Sequence, residues 1–158
     1  MKNTFKRSGA ALISLVLLLV LAVSAGAASS QNVGVKFWKE RSDKESMANS
    51  GIDPDRTATL TRQANGTYTL TLPVMQVSKL GVTGYLSGLT IGDVTYDGTL
   101  TGDFNKATAV LTIKNLPASV LTGSDVNKSV LVTCNIQMDL KVLGEINTSA
   151  RMCIWNQK

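Results

Sequence analysis

Polar and apolar residues alternate along most of the chain beyond residue 28. In TYTLTLPV (67–74), Tyr68, Leu70, Leu72 and Val74 fall on one face and Thr67, Thr69 and Thr71 on the other. In VLVTCNIQMDL (130–140), Val130, Val132, Cys134, Ile136, Met138 and Leu140 share one face; Thr133, Asn135, Gln137 and Asp139 share the opposite one. A period of two with a polar outside predicts half-buried antiparallel strands. VGVKFWK (33–39), RTATLTRQ (56–63), VTGYLSGLTI (82–91), ATAVLTIKNL (107–116) and SARMCIW (149–155) are further strand candidates. Short strands separated by turn signals argue for an all-β sandwich or barrel.

The turns follow from the same pattern. Asn65-Gly66 is a strong hairpin signal. A plain two-residue turn there would set Leu60 opposite Thr71 and mix the faces, so an extra loop or bulge residue is expected between Gln63 and Thr67. Two stretches break the alternation. SDKESMANSG (42–51) reads as a short helical turn with Gly51 as its stop, and LPASVLTGSD (116–125) as a turn or single helical turn. Glycines 81, 84, 88, 92, 98 and 102 lack a following Lys-Ser or Lys-Thr and are no phosphate loop; they read as turns and bulges.

The first 27 residues differ from all this. Lys2, Lys6 and Arg7 precede the apolar run AALISLVLLLVLAV, and the small residues SAGAASS follow. That order predicts a secretory signal peptide over 1–27, cleaved after Ala25 or Ala27. The apolar run falls short of the roughly 20 residues of a membrane-spanning helix. Residues 28–158 then form a single domain, expected to be secreted, with no membrane attachment of its own beyond a non-covalent hold at the cell surface. Charge must be recounted for this part. The whole chain is net +5, but residues 28–158 hold 13 basic and 11 acidic residues, a net +2. No basic patch interleaved with aromatics remains, so nucleic acid is a poor partner.

The chain has no His, which removes Ser-His-Asp and Cys-His catalysis and every His-based metal site. Asp93, Asp97 and Asp103 lack calcium-loop spacing. With that inventory the chain is expected not to be an enzyme. Cys134 and Cys153 leave two registers open. A turn at Leu143-Gly144 sets them directly opposite, as for a disulfide. Matching the apolar faces of the last two strands instead needs an odd-length turn or a bulge, which separates them.

Met47 sits alone in a polar segment, beside Ser46. One reading is a plug for one end of the core. The other is a short turn that presents a soft sulfur and a hydroxyl over a pocket, since a thioether is an axial ligand type for haem iron.

Three features together resemble the NEAT (near-iron transporter) domain family of Gram-positive surface and secreted proteins: the strand VGVKFWK, the D-x-x-S-M-A-x-S segment, and the hairpin ending in NGTYTLTLPV. The likeness continues through ATAVLTIKNLPASVL to the strand pair VLVTCNIQMDLKV and SARMCIW, spanning roughly residues 33–156. The resemblance implies an immunoglobulin-like antiparallel β-sandwich of seven or eight strands with one short helix. It implies a haem cleft between that helix and the last hairpin, and a role in haem and iron capture. Ser46 and Met47 match the family's helix positions, where the Ser contacts a haem propionate. The family's Tyr-x-x-x-Tyr motif, which supplies the iron ligand, is absent: residues 144–150 read GEINTSA. Met47 and Met138 are therefore the candidate haem-iron ligands. The expected partners are haem, haemoproteins and other haem-transfer proteins. The alternative is a NEAT-like module without haem that binds a protein or peptide at the cell surface.

Overall fold

The computed structural model describes residues 28–79, 81–139 and 144–158. The expected signal peptide (1–27), Leu140 and most of the last hairpin's connection lie outside them. The described chain is all-β, with nine strands: β1 (Ser29–Lys39), β2 (Ala58–Arg62), β3 (Tyr68–Pro73), β4 (Val77–Lys79), β5 (Val82–Ile91), β6 (Val94–Thr101), β7 (Val110–Leu116), β8 (Val130–Met138) and β9 (Glu145–Asn156). Short 3-10 turns at Met47–Gly51, Phe104–Lys106, Ala118–Val120 and Val126–Lys128 join them. Among the described residues no helix is long and apolar enough to cross a membrane.

Every pairing is antiparallel, in the order β4-β5-β6-β7-β3-β2-β1-β9-β8, and β8 pairs back onto β5. That last ladder closes β1–β3 and β5–β9 into an eight-stranded barrel, with β4 added outside it on β5. The expected sandwich thus fits only loosely. A strand alternates its faces identically in a sandwich and in a barrel, so the β5–β8 closure leaves no mark on the pattern.

Rows of inward residues cross the strands in register. Leu60, Leu70 and Ile113 are successive partners on β2, β3 and β7; Leu72, Leu111 and Leu100 form the next row on β3, β7 and β6. All of these but Leu100 are fully buried, as are Phe37, Leu89, Leu116, Met152 and Ile154. Burying each such side chain contributes about 1.5–3 kcal/mol. Outward, the partners Thr59, Thr71, Thr112 and Thr99 run across the same four strands.

The β2–β3 turn keeps the faces matched by an odd-length loop. Gln63 N–H donates to Thr67 O at 2.8 Å, Gly66 N–H to Gln63 O at 3.0 Å, and Gly66 takes φ +83°. Leu60 then meets Leu70 rather than Thr71. The β8–β9 hairpin solves the same problem the same way. Gln137 pairs with Glu145, Cys134 with Thr148 and Val130 with Met152, an odd-length connection that matches apolar faces. Cys153 lies opposite Lys36 on β1, so the cysteines are apart; both are buried free thiols. Burial pushes the Cys134 thiol up to about 12 by desolvating its thiolate.

The glycines divide. Gly81, Gly92 and Gly102 hold turns with positive φ. Gly84 and Gly98 are interior strand positions instead, and Gly88 adjoins a bulge where the β5–β8 register shifts after Leu86.

Candidate functional site

The alternation of β8 carries past the core. Val132 and Cys134 are sealed inside the barrel; two and four residues on, Ile136 and Met138 are only half buried. β9 repeats this in reverse, with Ala150 and Met152 sealed, and Thr148 and Ile146 exposed. The start of β5 adds Val82, Gly84 and Leu86. These three strand ends form one wall of a cleft of about 280 Å³ at the end of the barrel. Met47, Ala48 and Gly51 of the short turn form the other, and Val77 of β4, paired with Gly84, lies between the two. Among the described residues the lining holds no charged side chain; Thr148 and Tyr85 are its polar members.

The turn is held firmly. Ser46 caps it: its Oγ accepts from Ala48 N–H at 3.3 Å, and its own N–H donates to Phe37 O at 3.0 Å. β2 leaves β1 after Val33, which opens the edge of β1 at Phe37. Asn49 fills it. Its Oδ1 accepts from Phe37 N–H at 2.8 Å, and its Nδ2 donates to Phe37 O at 2.7 Å and Ser46 O at 3.1 Å. A side-chain amide here replaces a strand's backbone. At the other end, Met75 N–H donates to Gly51 O at 3.0 Å, and Ile52 bridges to Val74.

The residues singled out from the sequence thus take different places. Met47 lines the cleft mouth at 58% exposure. Met138 lines the opposite wall. Ser46 is buried behind the turn as its cap and does not line the cleft. Asn49, Gly84, Tyr85 and Ile146 were not singled out. Gly84 faces Met138 across β5 and β8, and a Cβ on it would lie 2.7 Å from the Met138 sulfur. Tyr85 borders the cleft; strand alternation sets it on the face opposite Gly84, and its ring rests on Phe104 at 5.2 Å between centroids. The signal for Ile146 was available in the sequence: it continues the inward parity of Ala150 and Met152.

A second depression of about 550 Å³ lies beside the β2–β3 turn, lined by Gln63, Asn65, Thr69, Lys114 and Asn115. Three of its polar side chains already have partners. Gln63 Nε2 donates to Thr69 Oγ1 at 3.0 Å, and Asn65 Oδ1 accepts from Thr67 at the turn. The apolar cleft, which two methionines line, is the better candidate ligand site.

No family model matches the chain, and no curated protein matches it. Among solved structures the fold is NEAT-like. It is similar to the NEAT5 domain of IsdX2, a B. anthracis hemophore in complex with haem, with a TM-score of 0.53 and 11% identity over 83% of this chain and 98% of that one. A mutant of that domain, also in complex with haem, gives the same values. At this identity the likeness is one of fold.

Proposed function

We propose that this chain is a haem-capture module of the NEAT type, acting outside a Gram-positive cell and delivering to or receiving from other haem-transfer proteins. The observation that carries the reading is the apolar cleft between the Met47 turn and the β8–β9 hairpin, which brings Met47 and Met138 to one space. The fold shared with haem-bound NEAT domains supports it. A planar macrocycle needs apolar walls on both faces and a donor for its iron. Here the walls are Val, Ile, Leu and Met side chains, and the donors are thioethers, neutral ligands that haem iron accepts. Ser46 serves by fixing the turn rather than by touching the ligand. The described lining offers no acid–base pair, which favours binding over catalysis.

Titrating the purified protein with haem under ferric and ferrous conditions tests this. A saturable Soret band in at least one state is expected. No band in either would end the haem reading. Such a result would favour the second reading, a protein or peptide partner, for which exposed Met47 and Ile146 at the cleft mouth are the supporting feature.

A further inference from the structure

The cleft offers a haem iron a particular kind of donor. Met47 and Met138 are soft and uncharged. Tyr85 is the one ionisable residue in the described lining, and its ring is packed on Phe104. No carboxylate lines the described walls. Iron in a porphyrin core is electrically neutral as ferrous and carries one net positive charge as ferric. An apolar cleft without a counter-charge penalises the charged core. Thioether donors act in the same direction, stabilising the reduced state.

Gly84 adds a second, independent observation. It is an interior strand residue with no turn to make, and its φ is not positive. A Cβ there would lie 2.7 Å from Met138 Sδ, 3.0 Å from Gln137 O and 3.3 Å from Ile136 Cγ2. A missing side chain at this point leaves the Met138 sulfur its seat on the wall.

We infer that the cleft selects its cargo by oxidation state: it holds ferrous haem through Met47 and Met138 in preference to ferric haem, with Gly84 as the positioning residue for the Met138 sulfur. This rests on the haem reading above and deepens it. Selectivity is an equilibrium property of two forms of one ligand, and the protein performs no electron transfer in it.

The test is a pair of anaerobic absorbance titrations of the purified protein, with ferric haem and with dithionite-reduced haem. Ferrous affinity is expected to exceed ferric affinity by about 100-fold, which by linkage raises the potential of the bound haem over free haem by about 120 mV. Met47→Leu and Met138→Leu keep apolar volume and remove sulfur. Each is expected to lower ferrous affinity at least about tenfold, change the ferrous spectrum and leave ferric affinity within about twofold. Gly84→Ala, with folding checked by thermal melting, is expected to mimic Met138→Leu. Tyr85→Phe is expected to alter neither state. Ile146→Tyr, which places a phenol on the β9 part of the wall, is expected to raise ferric affinity. Equal affinities, tighter ferric binding, or Leu variants with an unchanged ferrous spectrum would overturn the selectivity and leave haem capture standing. Loss of ferrous binding in Tyr85→Phe would overturn the thioether assignment. No binding in either state would overturn the haem reading itself.

Discussion

The two ends of the barrel are built from one pattern and behave differently. At the closed end, Leu60, Leu70 and Ile113 stack across β2, β3 and β7 and are fully buried. At the open end, β5, β8 and β9 present the same inward parity, yet Ile136 and Met138 stay half buried and Ile146 is exposed. Alternation decides which face a side chain takes. Whether that face is covered depends on what lies opposite, and at the open end that is a five-residue turn. The same apolar stripe is therefore core at one end and cleft wall at the other.

Substitutions can break this contrast, starting where most is buried. Leu70→Ala should lower unfolding free energy by about 2–5 kcal/mol in urea denaturation, because it leaves a cavity among packed neighbours. Met138→Leu should cost under about 1.5 kcal/mol in the same assay, since volume is kept and the site is half open. Similar losses at both positions would erase the difference between the ends. Asn49→Ala comes next. It removes the amide that bonds Phe37 twice and Ser46 once. About 1–3 kcal/mol should be lost, and exchange of the Phe37 amide hydrogen should quicken, as a buried backbone pair loses its partner. Ser46→Ala removes the cap and should cost about 1 kcal/mol, with weaker haem binding through a loosened turn and no new charge effect. The smallest effect at neutral pH belongs to Cys134. Its folded pKa of about 12 lies above the thiol's ordinary value of 9.0, so the unfolded chain releases the proton first. The stabilisation is complete below pH 9 and is lost as pH rises toward 12, at up to about 1.4 kcal/mol per pH unit. Cys134→Ala should flatten that alkaline slope in pH-dependent melts.

Much of the fold could be read from the chain because each strand with an apolar inner column announces itself. β5 matches its expected span, and the odd-length hairpins at Asn65-Gly66 and after β8 follow from keeping leucines and methionines on one face. β6 went unread for a physical reason. Its inner column is Tyr96, Gly98 and Leu100. Gly98 interrupts it because the Leu111 side chain fills that space, with Cδ1 2.3 Å from where a Cβ would sit. A glycine that makes room looks, in sequence, like a glycine that makes a turn. The three-residue β4 is too short to show a period. Barrel closure lies in pairing between β5 and β8, distant segments that alternation does not relate.

The two methionines singled out in the sequence both line the cleft, while the residues that hold the turn carried no such signal. Met47 stood out because it is apolar in a polar run. Met138 read as one more member of a stripe, and its position on the cleft depends on where the stripe emerges from cover. Ser46 matches the NEAT helix Ser by position, and its buried side chain caps the turn. Asn49 carried no signal, because an amide beside a helical turn looks like any solvated side chain until the open edge of β1 is seen.

Both jaws of the cleft are fastened to β1. Asn49 ties the turn to Phe37, while β9 is laddered to β1 from Val33 to Lys39, and Arg151 on β9 also holds Lys39 O and Ser42 O. Moving either jaw away from the other therefore works against hydrogen bonds made by the backbone of Phe37 and its neighbours on β1.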